Sequence, residues 1–208
     1  MDNLTVVHVH SDDIKENILH DIEYFCKECE LELDKPAKEN MEFTDWENKP
    51  NTLLYLLLKT NQFSKNNGIF SFLYDNDRIV ASSGAYKSEF DENVVIGAVR
   101  AWKSSKFRGG YFIANNIMPY HLNWAKENNS KIFALTFNEY NYKLMRIMNR
   151  SEKYEKSRNS HFLFGSKRPT FYQDMDVLPF TVLIKNTKQY VLYTKLDIDY
   201  EPKWPRIY

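Results

Sequence analysis

Residues 69–150 run strand, tight turn, strand, loop, strand, then Phe107-Arg108-Gly109-Gly110, helix, strand, helix. No other stretch restricts the fold as much. A long apolar strand that ends in an Arg-Gly-Gly turn and feeds a helix can hold an anionic phosphate. Such a turn leaves backbone N–H groups pointing one way, and the helix dipole adds roughly half a positive charge there. The same dipeptide also serves as an ordinary strand-to-helix turn, since glycine there needs no ligand. What precedes the turn separates these cases, and here three consecutive strands precede it.

Residues 69–74 and 78–86 pair across Asp75-Asn76-Asp77, a hairpin signal. Residues 94–102 form an apolar run typical of a central strand. After the turn the pattern predicts a helix to about residue 128, with Pro119 inside it, where a missing N–H bends a helix. A strand over 131–137 and a helix over 139–150 follow. Upstream, residues 4–10 read as a first strand. Ser11 is placed as the N-cap of a helix running to Asp34, with Ile14, Ile18, Ile22 and Phe25 or Cys26 on its inner face. Asn51 or Thr52 caps a shorter helix to about Phe63. Downstream, 151–179 is irregular, and 180–185 with 189–196 forms a closing hairpin. The whole, 1–208, reads as a single domain of mixed α/β class. Its sheet is mostly antiparallel with a parallel central strand pair, and helices cover both faces.

Composition excludes several classes. With 43% hydrophobic and 15% aromatic residues, a sizeable core is assured. No apolar run approaches the ~18–20 residues of a membrane span, and Met1-Asp2-Asn3 opens no signal-peptide core, so a cytoplasmic protein without membrane contact is expected. Net charge is zero but segregated. Residues 1–50 hold fourteen Asp/Glu against five Lys/Arg, whereas residues 101–170 hold four against thirteen. The basic centre suits an anionic ligand, or the two regions neutralise each other across the fold. Cys26 and Cys29 lie within a helix, without a second ligand pair at zinc spacing, and read as reduced and inert, so no metal is expected. Residues 154–172 interleave Lys156, Arg158, Lys167 and Arg168 with Phe162, Phe164, Phe171 and Tyr172. They match no nucleic-acid signature, and such a loop also packs its aromatics inward, so nucleic acid is not the expected partner.

The element order and the turn resemble the GNAT-type N-acetyltransferase superfamily. There the fourth strand ends in a pattern like Arg-Leu-Tyr-Val-x-Pro-x-Tyr-Arg-Gly-x-Gly-x-Gly. This chain offers, in step, Arg100-Ala101-Trp102-Lys103-Ser104-Ser105-Lys106-Phe107-Arg108-Gly109-Gly110-Tyr111-Phe112-Ile113. Trp124-Ala125-Lys126, the apolar run 132–137 and Asn141 fall where that family places its next helix end, strand and helix opening. It departs from the family at Tyr111 and Ile113, which replace two glycines. Met148 stands where a Tyr often protonates the leaving thiolate, and Glu152-Lys153 replace a Gly-Phe.

The resemblance implies acetyl-CoA as co-substrate and an amine acceptor, with a homodimer as one possible assembly. Backbone N–H groups of Arg108, Gly109, Gly110, Tyr111 and Phe112 would receive the pyrophosphate. Ala101, Trp102 and Lys103 would offer strand-edge groups to the pantetheine arm, and Asn141 completes the cofactor set. Tyr142 is the hydroxyl nearest to the missing acid, although a tyrosine there also reads as a surface residue. Glu89, Asp91 and Glu92 are the carboxylates nearest the apolar strand. Arg100, embedded in that strand, is expected to be buried and paired with a substrate anion or an internal acid. Two readings follow: an acetyl-CoA-dependent N-acetyltransferase, or a catalytically inactive binding protein built on the same fold.

Overall fold

The computed structural model describes residues 4–33, 52–104, 112–137, 176–177, 181–184 and 187–206. Strand β1 (Leu4–Val9) lies antiparallel on β2 (Gly68–Asp75), with His8 opposite Ser71. A two-residue turn, Asn76-Asp77, leads into β3 (Arg78–Lys87), antiparallel to β2. Asn76 takes φ 55 there, a left-handed conformation that a short polar side chain tolerates. Next come β4 (Val94–Lys103), antiparallel to β3, and β5 (Ile132–Phe137), parallel to β4. The parallel pair is joined by a helical crossover, as the two apolar runs require. Strand β8 (Thr187–Lys195) is antiparallel to β5. Two short strands, β6 (Asp176–Val177) and β7 (Val182–Ile184), both pair with β8. The strand order is β1-β2-β3-β4-β5-β8-β6, with β7 joined to β8 off that path.

Alternation along the strands splits the core in two. Helices α1 (Glu16–Leu33) and α2 (Leu53–Lys59) cover one face, where Ile22, Phe25, Leu54 and Leu57 pack with Phe70, Phe72, Ile96 and Ala134. On the other face, α3 (Phe112–Asn116) and α4 (Met118–Glu127) lay Ala114, Met118, Trp124 and Ala125 over Ile69, Ala85, Val95, Phe133 and Leu135. The expected fold class is therefore the observed one.

Two helix boundaries correct the sequence reading. Ser11 does not cap α1, which starts at Glu16. The Ser11 N–H instead donates to the Phe63 carbonyl at 2.8 Å, Asp12 Oδ1 accepts from the Lys65 N–H at 3.2 Å, and Asp13 pairs with Lys65 Nζ at 3.2 Å. Ser11, Asp12 and Asp13 are thus held by the loop after α2. That helix ends at Lys59, four residues short of Phe63. Thr52 does cap it, accepting from the Tyr55 N–H at 3.2 Å, and Phe63 still fills the core edge-on to Phe70. The crossover helix breaks at Ile117, with Pro119 in the first turn of α4. Proline there costs no hydrogen bond, because that N–H has no intrahelical partner.

Cys26 is buried in α1, and among the described residues no group of His, Cys, Asp or Glu is placed to hold a metal. Nor, among them, is any helix long and apolar enough to cross a membrane. The expected helix over 139–150 lies outside the described residues, as does most of 151–179.

Candidate functional site

The site begins where β4 and β5 stop being neighbours. Their parallel register runs Val94↔Ile132, Val95↔Phe133, Ile96↔Ala134, Gly97↔Leu135, and no described pair joins them beyond that. Yet β4 continues to Lys103, held on its other side by β3 through Gly84↔Val99, Ser82↔Trp102 and Ala81↔Lys103. From Tyr86↔Ile96 to Gly84↔Val99 the ladder advances two residues on β3 and three on β4, and it does so again from Gly84↔Val99 to Ser82↔Trp102. Each step is a bulge with one extra residue in β4, and each contains a left-handed residue, Ala98 at φ 58 and Arg100 at φ 50. Bulges bend a strand and increase its twist. Two in succession carry the outer half of β4 away from β5 and open a cleft between them.

The apex of the cleft is tight. A Cβ on Gly97 would stand 2.6 Å from Phe133 Cζ and 3.0 Å from Leu135 Cδ2, so any side chain there would force the Phe133 ring to shift where the strands last touch. The second bulge is pinned by Ser82, whose hydroxyl donates to the Arg100 carbonyl at 3.0 Å. Trp102 is half-buried on the α1 side, its ring edge-on to Phe25 at 4.9 Å between centroids. At the end of β4 the Ser104 N–H donates to the Val80 carbonyl at 2.8 Å, and the chain re-enters described structure in α3 at Phe112.

Four of the named site residues, Arg100, Ala101, Trp102 and Lys103, therefore lie together on the outer half of β4 beside the cleft. Phe112 opens α3, its carbonyl accepting from Asn116 Nδ2 at 2.8 Å. Arg108, Gly109, Gly110, Tyr111, Asn141 and Tyr142 lie outside the described residues.

Arg100 requires a correction. It is exposed, not buried in an ion pair, because the bulge turns it out of the alternation that an unbroken strand would impose. Asp91 is also displaced from any role in the cleft. It sits before the start of β4 and accepts from Tyr200 Oη at 2.8 Å on both carboxylate oxygens, with further N–H donors at Asn93 and Lys203. Partial burial alone would raise its carboxyl, but these hydrogen bonds, the Tyr200 hydroxyl first, hold it below the ordinary carboxylate value. It fastens the C-terminal segment to the β3–β4 turn.

Sequence reasoning passed over Gly97, Ala98 and Ser82. An isolated glycine in an apolar strand is itself a bulge signal, and Gly97 carried it. Nothing in the sequence marks Ala98 as left-handed.

No protein-family model and no curated protein sequence matches this chain. Solved structures match it in fold. A probable acetyltransferase from Staphylococcus epidermidis ATCC 12228 superposes with TM-score 0.51 over 93% of this chain and 99% of its own, at 13% identity. An acetyltransferase of the GNAT family from Staphylococcus aureus Mu50 gives 0.50 over 93% and 100%, at 11% identity. The PaiA N-acetyltransferase from Thermoplasma acidophilum, solved in complex with coenzyme A, gives 0.50 over 93% and 99%, at 8% identity. This chain has the GNAT acyltransferase fold, as the element order led one to expect.

Proposed function

We propose that the protein is an acyl-CoA-dependent N-acyltransferase that moves an acetyl group from acetyl-CoA to a primary amine. One observation carries this: β4 parts from β5 after Gly97↔Leu135, at two left-handed bulges, while β3 keeps its hold on β4. An extended chain bearing amides can lie along the strand edge left by β5, as a peptide adds to a sheet. The pantetheine arm is such a chain. On this reading Ala101, Trp102 and Lys103 flank the arm. The backbone N–H groups of Arg108, Gly109, Gly110, Tyr111 and Phe112 receive the pyrophosphate, and Asn141 completes the cofactor contacts.

The neutral amine attacks the thioester carbonyl, a C–N bond forms and the C–S bond breaks. The amine nitrogen gives up a proton, and the departing thiolate takes one. Tyr142 is the donor proposed for the thiolate. A cytoplasmic location goes with this reading.

Binding is tested by thermal unfolding with and without acetyl-CoA. Ligand at 100 times its Kd stabilises a one-site protein by ~2.7 kcal/mol. Gly109→Val is expected to weaken binding in calorimetry, because a Cβ there crowds the turn or the phosphate. No stabilisation by acetyl-CoA, or equal affinity in wild type and Gly109→Val, counts against a donor site at this turn. Binding without thiol release in the presence of any amine selects the inactive binding protein instead.

A further inference from the structure

Beneath α4 the sheet carries a row of polar side chains on a face that is otherwise apolar. His8 of β1, Ser71 of β2 and Ser83 of β3 are successive cross-strand partners, so their side chains leave the sheet on one side. Around them on that side lie Ile69, Leu73, Ala81 and Ala85. His121 descends from α4 onto the row. Ser71 Oγ lies 2.8 Å from His8 Nδ1 and 2.9 Å from His121 Nε2. Ser71, Ser83 and His121 are all fully buried. Next to His121 on α4, the ring of Tyr120 tilts against that of His8, centroids 5.0 Å apart. Edge strand β1 and helix α4 are thus tied to the sheet, and to each other, through one serine hydroxyl.

That hydroxyl has a single proton. It donates to one imidazole and accepts an N–H from the other, so the chain closes with both rings neutral and in complementary tautomers. A further proton on His121 would put N–H groups on both ring nitrogens. Its Nδ1 is buried and, among the described residues, has no hydrogen-bond partner, so no described group offsets a charge there. The surrounding elements offer no compensation. Strand β1 presents His8 with His10 behind it, β2 and β3 present Ser71 and Ser83, α4 presents Tyr120, and α3 carries no titratable side chain. Among the described residues no carboxylate acts on either ring. Burial, with His8 adding to it, pushes His121 down to about 3; His8, an exposed residue whose ring is only partly covered, is lowered by that partial burial and then by His10.

We propose that His8, Ser71 and His121 form an acid-sensitive clamp, which fastens α4 and edge strand β1 to the sheet at neutral pH and whose hold weakens, its opening equilibrium rising, in mild acid. The sign follows from linkage. The folded histidine binds its proton more weakly than the free chain, whose value is about 6.5, so opening takes up a proton. The clamp's contribution is complete above that value and is lost as the pH falls below it. For His121 alone, the opening equilibrium rises about tenfold per pH unit below 6.5, or about thirtyfold between pH 7.5 and pH 5. The elements whose opening is favoured are β1 and the helix that follows the candidate phosphate turn, so the device is independent of whether that turn binds CoA.

The test compares wild type with His121→Gln, whose amide still reaches Ser71 and does not titrate. Urea unfolding at pH 7.5 and pH 5 is expected to show the wild-type equilibrium constant rising about thirtyfold more than that of the variant. Amide exchange, corrected for intrinsic rates, is expected to accelerate at pH 5 in Leu4–Val9 and Met118–Glu127 of the wild type only. Identical pH dependence in the two proteins overturns the clamp. If the variant does not fold, imidazole NMR of the wild type decides. A folded-state His121 ring that titrates near 6.5 overturns the proposal, and one that stays neutral down to pH 5 supports it.

Discussion

The ring of Phe133 occupies the space that a side chain on Gly97 would need, its Cζ 2.6 Å from where a Cβ would stand. These two residues set the apex of the cleft. One is the last β4 residue to pair with β5, and the other supplies the aromatic that β4 must pass. A substitution at Gly97 therefore acts on fold and cleft together.

Gly97→Ala is expected to destabilise the protein by ~1–3 kcal/mol in urea unfolding, the range for overpacking a full core. Gly97→Val should cost at least as much. Phe133→Leu removes ring atoms from the same space, so the double variant Gly97→Ala, Phe133→Leu is expected to lose less than the sum of the single losses. Strict additivity would mean that the two residues do not meet.

Arg100 separates two physical pictures. A buried arginine stripped of its partner arrangement costs ~3–5 kcal/mol, whereas an exposed side chain at a bulge costs little. Arg100→Ala is expected to change stability by less than ~0.5 kcal/mol. At φ 50 the backbone decides instead. Arg100→Val should destabilise by ~1–2 kcal/mol, since a left-handed residue with a branched Cβ is strained, while Arg100→Gly should be neutral or better. Urea midpoints at constant m-value give all three.

How much of this was legible in the sequence depends on the range of the interaction. The run from Val94 and the run from Ile132, with a helix between them, determined a parallel pair, because only a crossover connection joins them. The bulges were not legible, since Ala98 and Arg100 take left-handed conformations without a glycine to signal it. One extra residue in a strand turns the next side chain to the other face, which is why Arg100 read as buried and is exposed. Ser11 misled for another reason: a hydroxyl followed by two acids has the local form of a helix start, but Lys65 and Phe63 claim the backbone and the acids. His8, Ser71 and His121 are separated by 63 and 50 residues, and no local pattern foretells that they meet. The turn residues Arg108, Gly109 and Gly110 remain a sequence inference.

The Asp91–Tyr200 contact predicts a pH-dependent contribution from the C-terminal segment. The Asp91 carboxyl is held below its ordinary value in the folded protein, so its contribution is present above the unfolded carboxylate value. It is lost as the pH falls through the lower, folded value. Tyr200→Phe removes the hydroxyl that both carboxylate oxygens accept from. The variant should therefore be less stable than wild type at pH 7, and the difference should shrink as the carboxylate is protonated. Unfolding curves at pH 7 and in the acid range check this, and a difference that does not change with pH would assign the Tyr200 contribution to ring packing alone.

The last prediction concerns the chemistry of the proposed acyl transfer. Met148 stands seven residues after Asn141, where the related pattern often carries a Tyr. A thioether has no proton to give, so it cannot protonate the departing CoA thiolate. General acid assistance is typically worth ~10²–10⁴-fold, and CoA is a fair leaving group without it. Acetyl transfer is therefore expected to be slow but measurable, with Tyr142 or water supplying the proton. Thiol release from acetyl-CoA is followed across a panel of primary amines in three proteins. Met148→Tyr should raise kcat with little change in KM for acetyl-CoA, because the new hydroxyl acts on the leaving group and not on binding. Tyr142→Phe should lower kcat if that hydroxyl is the donor, and an unchanged rate passes the role to water. Should neither wild type nor Met148→Tyr turn over any amine while acetyl-CoA binds, the fold is used here for binding alone.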